Sequence, residues 1–142
     1  MTDPVSHPPA LLRFVDAVML PVPNLEDGLG FYRDKLHHEL IWRNDAIGQA
    51  GLRLPESDTE LVLSTNLGAA VNWLVASVAD ALNTIVAAGG TIVAEPTNIP
   101  VGKVAVGADP FGNQLVLVEL SKGRYSTDAS GQVVAVEPEN AG

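Results

Sequence analysis

The chain contains no cysteine. That removes disulfide staples, thiolate metal sites and cysteine nucleophiles together, so any metal would have to be held by His, Asp or Glu. Histidine is itself scarce, with three in 142 residues: His7 lies in a proline-rich leader, and His37 and His38 adjoin each other just past a predicted helix. No His falls on a predicted strand. Basic residues are also few, eight Lys and Arg against seventeen Asp and Glu, for a formal net charge of −9. No nucleic-acid partner is expected, because phosphate binding needs a clustered positive patch. The acid excess favours solubility and, secondarily, attraction of cationic small molecules. Although 46% of residues are apolar, no run approaches the roughly 18–20 needed to cross a membrane, and no membrane association is expected. The start, MTDPVSHPPA, lacks the basic onset and apolar centre of a secretory signal, so the expected location is cytoplasmic.

What is present is an ordered α+β pattern. Residues 1–11 are expected to form a flexible N-terminal arm and 123–142 a C-terminal tail, with QVVAV at 132–136 able to add a short extra strand or to cross to a partner chain. Between them, Phe14 to Val22 reads as a strand closed by Pro21 and Pro23. Asn24 is placed to cap a helix whose first turn carries Glu26 and Asp27, where acid suits the positive dipole end. Leu25, Leu29, Tyr32 and Leu36 give that helix an apolar stripe. Leu40 to Arg43, Ala50 to Leu54 and Glu60 to Ser64 then read as three strands. The same order returns: a strand over Val71 to Val78, a helix capped by Asp80 and ended by Gly89-Gly90, and strands at Thr91 to Ala94, Lys103 to Gly107 and Gln114 to Leu120, with turns expected at Pro96 and Pro100. The chain thus reads as one domain over 12–122, duplicated as module one at 12–66 and module two at 70–122. Two βαβββ modules would form a cupped, mostly antiparallel sheet around a shared cavity.

Within this frame PVPNLEDGLGFYRDKL from Pro21, AAGGTIV at Ala87 to Val93 and DPFGNQLVLVE at Asp109 to Glu119 resemble the vicinal oxygen chelate superfamily of glyoxalase, bleomycin-resistance and dioxygenase proteins. The resemblance implies a cup that holds a small molecule, commonly in a homodimer. In metal-dependent members, His and Glu on four inward strand positions bind a divalent ion. Placed by register, those positions here are Ala17, Glu60, Trp73 or its neighbour Asn72, and Val116. Glu60 alone among the assigned residues could ligate a metal, so no metal cofactor is expected. The resemblance also implies a residue in left-handed conformation after Leu36, where relatives carry Gly and this chain carries His37.

Alternation sends every second side chain of a strand to one face. With Ala17, Glu60, Trp73 and Val116 inward, Val15, Met19, Val62, Ser64, Val71, Val75, Ser77, Gln114 and Val118 follow, and the expected pocket is largely apolar. Its expected ligand-binding residues are Glu60, Trp73, Ala17, Val116, Met19, Trp42 and Gln114, with no catalytic residue assigned. A carboxylate in an apolar wall needs a partner or a proton. Glu60 could bond Arg43 or Arg53, or face a cationic ligand stacked on Trp73 and Trp42. No Ser-His-Asp order, Walker loop, dinucleotide-binding turn or zinc helix motif occurs. The function expected is therefore metal-free binding of an amphipathic or cationic aromatic compound, as in the bleomycin-resistance branch. The alternative is a metal-dependent lyase, isomerase or dioxygenase of the glyoxalase type, with a divalent metal as cofactor.

Overall fold

A computed structural model describes residues 9–138; His7 and most of the expected N-terminal arm lie outside them. Strand β1 (Phe14–Pro21) is followed by helix α1 (Leu25–Leu29), whose N-terminus Asn24 caps by accepting from the Asp27 N–H at 2.7 Å. From Gly30 to Lys35 the helix widens to π geometry, the Leu36 N–H donating to the Phe31 carbonyl. The chain leaves through His37, which adopts φ +69°, the left-handed conformation the resemblance implied. Strands β2 (Leu40–Asn44), β3 (Gln49–Leu54) and β4 (Ser57–Ser64) complete the first half.

The second half runs β5 (Ala70–Leu74), α2 (Val78–Ala87), β6 (Thr91–Ile99), β7 (Gly102–Ala108) and β8 (Gln114–Glu119). The cap of α2 is Ser77, whose hydroxyl accepts from the Asp80 N–H, and not Asp80 as expected. Asp80 instead occupies the first turn, and the Glu119 carboxylate accepts from the Val78 N–H at 2.9 Å. Pro96 does not make a turn. It lies inside β6, an edge strand with an irregular register between Ala94 and Thr97, where a missing N–H is tolerated.

The eight strands form one cupped sheet in the order β2-β3-β4-β1-β5-β8-β7-β6, with β1/β4 and β5/β8 parallel and the other pairs antiparallel. The α+β class and the duplicated βαβββ plan are those the sequence led us to expect. Behind the first half, Leu25 and Leu29 of α1 pack on Leu52, Leu61 and Leu63. Behind the second, Val78, Ala81, Leu82 and Ile85 of α2 pack on Ala105 and Leu117. The opposite face is left for a cavity. Beyond the sheet, β9 (Arg124–Thr127) and β10 (Val133–Glu137) form a hairpin joined to β2 by an Arg43–Gln132 bridge, the Arg43 N–H donating to the Gly131 carbonyl at 2.8 Å. Residues 124–127 and 133–137 pair with each other against the domain, where the sequence suggested a tail that could add a short strand at 132–136.

Candidate functional site

The sheet register carries two rows of side chains across the inner face. One runs Glu60, Ala17, Asn72, Val116, Val106; the next includes Trp42, Gly51, Val62, Met19 and Ala70. Together with Gln114, Val104 and Val118, all of these but Gly51, which the Trp42 ring covers, line a cavity of about 1140 Å³, somewhat above the roughly 300–1,000 Å³ of small-ligand sites. The β9 segment Gly123 to Tyr125 supplies a further wall. Six of the seven expected site residues, Glu60, Ala17, Val116, Met19, Trp42 and Gln114, are brought together here.

Trp73 is the exception. It packs with the α2 cluster behind the sheet, and Asn72, the other option at that position, takes the inward place because it pairs with Ala17 on one side and Val116 on the other. Val75 also lies behind the sheet rather than in the pocket. Val71, Trp73 and Val75 stand on one parity and Ala70 and Leu74 about Asn72 on the other, so hydrophobicity alone left both open. A bulge in β1 between Val15 and Ala17 is the related feature the sequence reading missed. It pairs Val15 with Trp73, away from the cup, and lets both Asp16 and Ala17 line the cavity. A polar residue in an otherwise apolar strand was the available sign.

Trp42 lies flat over Gly51. A Cβ at Gly51 would collide with the indole nitrogen, so only glycine leaves room for the ring to cross β3. In that position Trp42 Nε1 donates to Glu60 Oε1 at 2.7 Å. Neither arginine considered for Glu60 serves as its salt-bridge partner: Arg43 pairs with Glu26 at 2.7 Å and Asp45 at 2.8 Å, and Arg53 pairs with Glu39 at 3.1 Å. Tyr125 packs on the other side of the indole, ring centroids 4.8 Å apart at 51°. Thus the hairpin is tied to the very side chain that holds Glu60.

Two carboxylates face this interior. Burial pushes the Glu60 carboxyl above its ordinary range, against the Trp42 hydrogen bond, and the negative Asp16 adds to the rise. Burial likewise raises Asp16, opposed by the charge of Arg124, whose Nη1 stands 3.9 Å from Asp16 Oδ1. Asn72 Oδ1 is a buried acceptor without a hydrogen-bond partner. The cavity therefore combines apolar walls with acid and acceptor groups near one end of its floor.

A divalent ion does not fit this donor set. At the four positions implied by the resemblance stand Ala17, Glu60, Asn72 and Val116, two of them hydrocarbon, and the Glu60 carboxylate already accepts from Trp42. Among the described residues no three His, Asp or Glu side chains come close enough to share a metal. A catalytic or structural zinc site uses three or four such ligands.

Paired βαβββ halves curl around one inner cavity, with helices behind. The sequence model of the Glyoxalase/Bleomycin resistance protein/Dioxygenase superfamily matches residues 14–117, and the chain belongs to this superfamily. Solved structures agree in fold. A hypothetical protein from Bacillus halodurans superposes with TM-score 0.63 at 17% identity, over 81% of this chain and 98% of that one. Methylmalonyl-CoA epimerase from Mycobacterium tuberculosis gives 0.62 at 20% identity, over 81% and 93%. The Streptomyces coelicolor methylmalonyl-CoA epimerase, solved with 2-nitronate-propionyl-CoA, gives 0.60 at 20%, over 78% and 98%. A search of curated proteins found no match.

Proposed function

We propose that the cup binds an amphipathic, cationic aromatic small molecule without a metal ion. The observation that carries this reading is the pairing of two carboxylates, Asp16 and Glu60, with an otherwise apolar wall of Met19, Val62, Val116 and Val118. Desolvated acid groups are costly unless a cation or proton meets them. A ligand that brings its own positive charge and buries a flat apolar body satisfies both parts of the wall. Trp42 adds an aromatic face and a fixed donor that orients Glu60. The expected homodimer and cytoplasmic location belong to the same proposal; sedimentation velocity checks the first.

The metal-dependent lyase, isomerase or dioxygenase alternative finds no support in the residues at the ligand positions. The test is a thermal-shift screen of protein dialysed against EDTA, using ethidium and acridinium beside the uncharged phenanthridine and acridan. Stabilisation by the cations, unaffected by added Zn²⁺, Ni²⁺, Mn²⁺ or Fe²⁺, is expected. Binding or turnover that appears only with a stoichiometric metal would overturn the proposal.

A further inference from the structure

We infer that Asp16 and Glu60 form a recognition site for a planar cation of the guanidinium or amidinium class, which Arg124 of the chain's own hairpin occupies until a ligand displaces it. This narrows the cationic-ligand reading above and rests on it.

The charged residues lining the cavity are Asp16, Glu60 and Arg124, two acids and one base among the described residues. Arg124 acts on both acids, favouring the ionised form of each. Its contact with Asp16, at 3.9 Å, is longer than the roughly 2.7–2.9 Å of a charge-assisted hydrogen bond. The Arg124 side chain is 47% exposed while that of Asp16 is 19% exposed. The base thus reaches from the solvent side toward an acid held in the wall. Taken by itself, an ion pair of this length is screened and weak.

Release of Arg124 need not undock the hairpin. Tyr125 packs on Trp42, and the Gly131 carbonyl accepts from the Arg43 N–H. The anchors are separate from the ion pair. Once Arg124 turns outward, two acids are left in a mostly apolar pocket, and an incoming cation replaces what they lose.

The acceptors suit a planar, multiply donating group better than a compact ammonium. Glu60 and Asn72 flank Ala17 in one row of the sheet, and the bulge adds Asp16 beside them. Alanine between them keeps the floor low. Trp42 occupies Oε1 of Glu60 and leaves Oε2 for a ligand N–H, beside the carboxylate of Asp16. Donors spread in one plane can reach several such groups at once, as the fork of Arg does.

The experiment is chemical rescue in the full chain. Methylguanidinium chloride is titrated against the wild type, Arg124→Ala, Arg124→Gln and the Asp16→Asn/Arg124→Gln double variant, with sodium chloride and methylammonium chloride as controls. Binding is read by thermal shift and by tryptophan fluorescence, with Trp73→Phe added to each protein so that the signal is that of Trp42. In both single variants methylguanidinium should bind saturably at least tenfold more tightly than in wild type, methylammonium should bind less well, and the double variant should lose the effect. Equal responses in wild type and variants, or a response that survives Asp16→Asn, would overturn the inference. Arg124→Gln keeps two of the three stem methylenes, so a hairpin disturbed only in Arg124→Ala leaves the result readable. Ethidium titration of the wild type separates the two levels: ethidium binding without rescue sinks this site alone, and rescue without ethidium binding sinks the aromatic-ligand reading alone.

Discussion

Glu60 shows how one residue joins stability to function. Its carboxyl is raised chiefly by burial, so the folded chain keeps a proton that the unfolded chain has already released. Stability contributed by this group is therefore greatest below the ordinary carboxylate range of about 4, and declines as pH rises from there through the raised folded value. At neutral pH the charge is a cost. Glu60→Gln retains an acceptor for the Trp42 N–H and removes that cost, so its urea midpoint should exceed that of wild type at neutral pH and approach it under acid conditions. A midpoint lower than wild type at neutral pH would show that the ionised carboxylate is stabilised in the fold. Legibility at this scale was uneven. Ala17, Glu60 and Val116 could be placed by the register that the family resemblance implies, with Asn72 as the alternative to Trp73. Asp16 could not, because a bulge breaks alternation. Arg124 lay in a segment whose Ser, Thr and Gly content resembles a tail.

At the scale of elements, the hairpin changes the picture most. Its strands are short, and its docking depends on contacts far away in sequence with Trp42 and Arg43, which local composition does not reveal. Gly123 starts the hairpin with φ +124°, and a Cβ there would collide with the Glu137 carbonyl. Gly123→Ala should cost on the order of 1–3 kcal/mol and loosen Tyr125 from Trp42. Denaturation, and tryptophan fluorescence in a Trp73→Phe background, would check both effects; an unchanged spectrum and midpoint would mean that the turn is not strained by a side chain. The helices were more legible. Asn24 and the leucine stripe of α1 mark that helix by local chemistry alone, whereas the cap of α2 moved to Ser77 because the preceding strand ends at Leu74, before the expected Val78.

On the scale of the whole molecule, duplication was the strongest signal, since the same order of strand, helix and turn recurs in both halves and fixes a single closed set of pairings. The inner cavity follows from that plan, as apolar faces on both sides of a sheet require helices behind and a filling in front. The chemistry inside it does not follow from the plan, because one fold serves many sites. The central claim is that acid side chains, and no metal, recognise the ligand. Its most direct test is calorimetric titration of EDTA-dialysed protein with ethidium, in wild type and in Asp16→Asn/Glu60→Gln. Saturable binding by wild type, weakened at least tenfold in the double variant with phenanthridine affinity little changed, is the predicted result. Ethidium affinity identical in the two proteins, or wild-type binding restored only by a divalent ion, would contradict the account.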